Sequence, residues 1–293
     1  MNYTNEEKEQ IKKMYAAKCE RLEFSSSDAA TSIGISGSTV SLVFNGKYGA
    51  DDNSIFRQIA RWVGFGQNQL ALAETTNFRL MLRTLTEAQQ YSSMYAITGE
   101  AGHGKTFAQK YYADKYKNAF YILCNEHWTI NELLDEIYRQ MGMSPVNNSP
   151  AIKMWEIGTR LRALDNPLLM FDEANTLKNP VMQIFKSLFN ELENHCGITI
   201  TATNHLTQKL LRGKQLNRLG FKEIWSRIGS RPIELLETKK NDIVKICRAN
   251  GIDDEMIISR IASESEGDLR RVKRMIDKHT RTSVALPTEK AAA

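Results

Sequence analysis

Residues 95–106 read YAITGEAGHGKT, and within them Gly99, Gly104, Lys105 and Thr106 satisfy the spacing G-x-x-x-x-G-K-[ST]. The pattern takes its meaning from its flanks. Tyr95, Ala96 and Ile97 predict a short buried strand, and 107–116 predicts a helix. Strand, glycine loop and helix make a phosphate cradle. Glycine allows the tight backbone turn that aims successive N–H groups inward, and the helix start adds a positive dipole end. Gly99, Glu100, Ala101, Gly102, His103, Gly104, Lys105 and Thr106 are therefore the expected phosphate-binding residues of an ATP site. Lys105 would reach the β- and γ-phosphates, and the Thr106 hydroxyl would ligate Mg2+.

Downstream, apolar runs at 119–124 (AFYILC), 168–171 (LLMF) and 198–203 predict three more strands. Helical patterns at 127–141, 152–164 and 181–193 separate them, and another at 78–91 precedes the first strand. Strands that are apolar without alternation, interleaved with helices, predict an α/β fold: a parallel sheet covered on both faces. The third strand ends in Asp172 and Glu173. Asp172 would hold Mg2+, directly or through water, and Glu173 would polarise an attacking water as general base. Asn204, just past the fourth strand in TATNH, is either a turn former or a hydrogen-bond partner of that water or of the γ-phosphate. From 206 to about 281 the pattern is helical. Arg227 follows a helix in WSRI; in oligomeric ATPases such an arginine reaches the neighbour's γ-phosphate, and Arg218 and Arg231 are its rivals for that role. Gly267-Asp268-Leu269-Arg270-Arg271 starts a helix of a small lid in which Arg270 could touch the nucleotide, and Arg271, Lys273 and Arg274 make that helix basic.

The N-terminal part is organised differently. Residues 5–23 predict an amphipathic helix. The stretch 24–48, FSSSDAATSIGISGSTVSLVFNGKY, reads as a helix-turn-helix, with helices at 27–33 and 36–44 turning at Gly34, and 55–63 closes the bundle. Ser38, Thr39 and Ser41 would face a DNA groove beside Lys47, with Arg57 and Arg61 near enough for phosphate contacts. The second helix holds no Arg, Asn or Gln, the usual base readers, so backbone-dominated binding with little sequence preference is expected. Further weak candidates for DNA contact are His127, Thr129, Lys209, Arg212 and Lys214. The expected organisation is a helix-turn-helix domain (1–66), a linker (67–76), an ATPase core (77–235), a helical lid (236–282) and a disordered tail (283–293).

With 42% hydrophobic and 25% charged residues over 293, the chain can bury an ordinary core. A net charge of +5 permits nucleic-acid binding without requiring it. The four cysteines are scattered, so neither a zinc site nor a disulfide framework is indicated. The polar, acidic N-terminus is no signal peptide, and no apolar run approaches membrane-spanning length; a cytoplasmic protein without membrane contact is expected.

The phosphate loop, FDEA, TATNH, the SRI element and GDLRR, in this order, resemble the AAA+ ATPases. Together with the helix-turn-helix and the run SRIGSRPIELLETKKNDIVKI, they resemble more particularly the phage Mu B transposition protein family, and more distantly the Tn7-type transposon regulators. The resemblance extends over about residues 24–281. It implies ATP-dependent assembly into a helical filament or ring on double-stranded DNA, delivery of that DNA to a transposase, and hydrolysis that disassembles the filament. It also implies that Asn204 is a first sensor, Arg227 a finger acting on the neighbouring subunit, and Arg270 a second sensor. The chain stops soon after the GDLRR helix, which puts a transposase-contacting surface there in doubt. Two other readings share these motifs: a helix-turn-helix regulator whose nucleotide site is a sensor, and a helicase-loader ATPase.

Overall fold

The computed structural model describes residues 3–66 and 70–284. Four helices come first: α1 (Asn5–Leu22), α2 (Ser26–Ile33), α3 (Gly37–Phe44) and α4 (Asn53–Val63). Local chemistry sets their ends. Thr4 and Ser25 open α1 and α2 with reciprocal capping boxes to Glu7 and Asp28. Gly34 ends α2 in the left-handed conformation, at φ 85°. Ser36, expected inside the next helix, instead caps it: its side chain accepts from the Thr39 N–H. Ile11, Tyr15, Ala30, Val40, Val43, Phe56 and Ile59 are buried between these helices, and the Tyr15 ring meets Phe44 edge-on at 5.1 Å. The four helices do not stand apart, because their buried side chains join one cluster with those beneath the sheet. Ser32 Oγ donates to the Arg139 carbonyl across that junction at 2.6 Å.

The rest alternates. α5 (Thr76–Gln90), β1 (Met94–Thr98), α6 (Lys105–Lys115), β2 (Ala119–Leu123), α7 (Ile130–Gln140), α8 (Pro150–Arg162) and β3 (Leu168–Asp172) lead to a 3-10 turn at Ala174–Thr176. Then come α9 (Asn179–Met182), α10 (Ile184–Leu192), β4 (Gly197–Ala202), α11 (His205–Gln215), α12 (Phe221–Arg227) and β5 (Ile233–Glu234). The strands form one parallel sheet in the order β2-β3-β4-β1-β5. β3 and β4 are buried along their whole length, as central parallel strands must be. The faces alternate with period two: Leu168 and Met170 pack with Phe78, Leu85 and Tyr112 of α5 and α6, whereas Leu169 and Phe171 pack with Leu133, Ile157 and Phe185 of α7, α8 and α10. α13 (Lys240–Ala249), α14 (Glu255–Glu264) and α15 (Leu269–Val284) close the chain around their own core of Ile243, Ile246, Ile258, Ile261, Val272 and Ile276.

Several expected bounds move. The helix expected from 127 starts at Ile130, because Thr129 caps it. The single helix expected over 181–193 is two, α9 and α10. β5 lies inside the stretch expected to be wholly helical; two residues after a proline carry no periodic signal. Helix α15 runs through Val284, two residues into the expected tail; 285–293, and the linker positions 67–69, lie outside the described residues. No helix among the described residues is long and apolar enough to cross a membrane, and all four cysteines are free thiols.

Candidate nucleotide site

The carboxyl ends of parallel strands are where α/β sheets place ligands, and the strand order sets β1 beside β4, with β3 next outward. The loop 99–104 leaves β1 and enters α6, with Lys105 as the first helical residue. Asp172, the last residue of β3, is fully buried. An unpaired carboxylate there would be costly, so its partners matter. Its Oδ2 accepts from Thr106 Oγ1 at 2.7 Å and from Tyr121 Oη at 3.0 Å, and its Oδ1 accepts from the Glu173 N–H at 3.0 Å. Three donors thus satisfy this buried carboxylate. The phenol feels the reverse: burial first, and then the Asp172 charge, push the Tyr121 hydroxyl's pKa up. Glu173 adopts left-handed backbone angles, φ 55° and ψ 32°, uncommon for a residue other than glycine, and its side chain lines the cleft beside the loop.

Lys105 is only 6% exposed, and its ammonium donates to the carbonyls of Gly99 and Glu100 at 2.7 and 2.8 Å. Burial is the chief cause lowering its pKa, opposed by Glu173 and Asp172. An ammonium whose hydrogen bonds inside the loop go to carbonyls is a ready partner for a phosphate oxygen. His103 is pushed down by burial and then by Lys105, so the neutral ring is favoured.

The lid meets the loop directly. Leu269 N–H donates to the Gly102 carbonyl at 3.0 Å, and Asp268 Oδ1 accepts from the Arg270 N–H at 2.7 Å. Gly102 sits at φ 85°, and a Cβ there would lie 2.2 Å from Asp268 Oδ1. Glycine at 102 is thus required by lid packing as well as by the turn. Between loop and lid lies a cleft of about 300 Å³, lined by Gly102 to Phe107, Glu173, Arg270 and Lys273. Its apolar wall is Leu70, Ala73, Phe78 and Ile246, suited to a flat base. Residues 70–76, expected as a plain linker, are in fact tied to the lid. Thr76 N–H donates to Asp242 Oδ1 at 3.0 Å, Ala71 N–H donates to Asn250 Oδ1 at 2.8 Å, and Asn77 exchanges two hydrogen bonds with the Leu236 backbone.

The other candidates separate. Asn204 is not among the cleft-lining residues; its Nδ2 donates to Glu100 Oε1 at 3.0 Å and to Glu234 Oε1 at 3.4 Å, while its Oδ1 is buried without a partner. Arg227 lies outside its own cleft. Its guanidinium stacks 4.0 Å over Phe189 and donates to Asn190 Oδ1 at 2.5 Å. Arg218 and Arg231 are exposed. Two of the weak DNA candidates have internal partners. Lys209 donates to the carbonyls of Asn175 (2.9 Å) and Leu177, a half-buried clamp on the turn after β3. The Thr129 hydroxyl caps α7. Ser38, Ser41, Lys47, His127, Arg212 and Lys214 are exposed, and the Thr39 hydroxyl bonds with Ser36 Oγ at 2.8 Å.

Sequence reasoning missed Tyr121 and the 70–78 wall. A tyrosine in an apolar strand reads as core, and a segment without periodicity reads as linker. The one available signal was Asn77, a polar residue at the start of an amphipathic helix.

A family model described as an AAA domain matches residues 88–210. Over 250 residues the chain is 24% identical to the ATP-dependent target DNA activator B of Escherichia phage D108 and to that of Escherichia phage Mu, covering 81% of this chain and 77% of each relative. It is 23% identical over 204 residues to the Mu-like prophage FluMu DNA transposition protein B of Haemophilus influenzae, covering 68% of this chain and 69% of that protein. Two solved structures of NtrX from Brucella abortus, one in complex with ATP, are similar at a TM-score of 0.48 and 12% identity. They match 87% and 88% of this chain, which spans 65% and 62% of theirs. The chain thus carries an AAA domain and is similar along most of its length to the target DNA activators B of phages D108 and Mu.

Proposed function

We propose that the chain is an ATP-dependent regulator of DNA transposition that assembles on double-stranded target DNA with little sequence preference, recruits and activates a transposase, and disassembles on hydrolysis. The observation that carries the nucleotide half is the meeting, in one cleft, of the 99–106 loop, Glu173 and the Arg270 lid, with Asp172 bonded to Thr106 behind it. The DNA half rests on the relatives named as target DNA activators.

The residues fit ATP with Mg2+. The Thr106 hydroxyl and the Asp172 carboxylate, 2.7 Å apart, are the oxygens that would hold the cation, with the remainder coming from phosphate and water. No group of three or more His, Cys, Asp or Glu side chains suited to a metal exists among the described residues, so the protein alone makes no cage. The cation, when bound, neutralises charge on the phosphates. Lys105 exchanges its carbonyl partners for phosphate oxygens. Glu173 accepts the proton of the attacking water, Asn204 orients that water from the Glu100 side of the loop, and Arg270 carries lid closure to the nucleotide. Arg227, turned from its own cleft, completes the neighbour's site, with Arg218 and Arg231 as the alternatives. Nucleotide state and subunit association are then one equilibrium.

DNA would be met by Ser38, Thr39, Ser41 and Lys47 of a helix-turn-helix, and by His127, Arg212 and Lys214. The setting is the cytoplasm of a bacterial host. Electron microscopy with ATP and random-sequence duplex tests the reading: long filaments are expected. Discrete complexes at one sequence would favour a sequence-specific regulator, and complexes formed only with a helicase would favour a loader.

A further inference from the structure

A second cleft, of about 200 Å³, lies between α1, α4, α6 and the sheet-edge strand β2, and it shares no lining residue with the nucleotide cleft. Its charged lining is Lys18, Arg21, Arg61 and Lys110 against the single carboxylate of Asp114. That carboxylate forms long ion pairs with two of them but accepts no hydrogen bond from either. Asp114 Oδ1 is 3.6 Å from Arg21 Nη2 and 3.7 Å from Lys18 Nζ, both beyond hydrogen-bond length, and its side chain is 52% exposed. The Arg21 Nε and Nη2 atoms are buried with no hydrogen-bond partner, on a side chain only 15% exposed. Buried donors are nearly always paired, and a guanidinium left open inside a cleft is uncommon. The other cations are held at the wall and mouth. Lys18 donates to the Trp62 carbonyl at 2.7 Å and lies 4.6 Å over the Trp62 ring, while Lys110 lies 5.5 Å over the Tyr121 ring.

We propose that this cleft is an anion site for one phosphate group, gripped by the Arg21 fork and Lys18 with Lys110 and Arg61 at its mouth. The planar fork presents two parallel N–H donors, the geometry that matches two oxygens of a phosphate. The cleft is too small for a duplex, whose major groove alone is about 12 Å wide, so DNA could enter it only by a single backbone phosphate. Free phosphate and a DNA phosphate offer the same chemistry. Either would join the N-terminal helices to Tyr121, the side chain that also bonds Asp172.

The test is calorimetric titration of the full chain with inorganic phosphate, and separately with a short random duplex, against chloride at matched ionic strength. Wild type is compared with Arg21→Gln, with Lys110→Gln and with Lys105→Ala, which isolates phosphate bound by the 99–106 loop. Losing one charge-assisted donor should weaken binding about tenfold or more. A phosphate affinity that falls so in Arg21→Gln and Lys110→Gln but survives in Lys105→Ala supports the site with free phosphate as ligand. No phosphate binding there, with duplex affinity reduced about tenfold in the same two variants, supports it with DNA as the source. Should Arg21→Gln fail to fold, Lys110→Gln, at an exposed position, decides. If the folded variants bind both probes as wild type does, the proposal is wrong.

Discussion

Replacing Gly102 with alanine isolates the contact between loop and lid. The added Cβ would lie 2.2 Å from Asp268 Oδ1, 2.5 Å from its Cγ and 3.1 Å from its Cα, so rotation of the carboxylate alone does not clear it. The backbone at 102, φ 85°, adds the left-handed penalty of about 1–2 kcal/mol for a residue with a Cβ. Overpacking of this kind costs about 1–3 kcal/mol. With the lid in place the sum is about 2–5 kcal/mol, and each 1.4 kcal/mol is about tenfold. The cheaper outcome is for the lid to swing away, breaking the bond from Leu269 N–H to the Gly102 carbonyl and withdrawing Arg270. Two readouts report it: faster hydrogen exchange at the Leu269 amide, and weaker binding of a fluorescent ATP analogue. In an Asp268→Ala background the clash with Oδ1 and Cγ is gone. There the same change should cost only the backbone penalty and the remaining contact with Cα, about 1–2 kcal/mol. Should Gly102→Ala keep the amide protected and the affinity within about twofold of wild type, about 0.4 kcal/mol, the lid is not held by this contact.

Three more outcomes are expected. Glu173→Gln should bind ATP normally but hydrolyse it at least about a hundredfold more slowly, measured as phosphate release, with assemblies on DNA that persist; wild-type turnover would remove it as the base. Asn77→Ala strands the Leu236 N–H and carbonyl, which lie at 3.0 and 2.7 Å from its side chain, and should lower stability by about 1–3 kcal/mol in urea denaturation. Lys214→Gln should weaken DNA binding about equally for unrelated sequences and lower the slope of log affinity against log salt by about one; a change confined to one sequence would mean base readout instead.

How much was legible in the sequence differs by element. The core strands were readable because β3 and β4 are buried on both faces and therefore spell unbroken apolar runs. The 99–106 loop was readable because phosphate binding demands specific residues at fixed spacing. β5 was not, since two residues after a proline have no period. The cleft wall at 70–78 was also hidden. Its role comes from docking on α13, through Thr76 to Asp242 and Ala71 to Asn250, and such pairings more than 160 residues apart leave no local trace. Lys209 shows the opposite failure. A lysine in a basic helix reads as solvated, and only the fold reveals the carbonyls of Asn175 and Leu177 that hold it.

In the proposed function a neighbouring subunit completes the site. Mixed-subunit hydrolysis is the decisive measurement. In the proposed arrangement, Arg227→Ala would keep its own Glu173 but have no finger to lend, and Glu173→Gln would keep the finger but have no base. Each alone, with ATP and duplex DNA, should be nearly inactive. Mixed in equal amounts, they should regain phosphate release, because an Arg227→Ala cleft beside a Glu173→Gln subunit would then have every group the proposal requires. If the mixture is no more active than the two variants measured apart while both still assemble on DNA, Arg227 does not act across the interface.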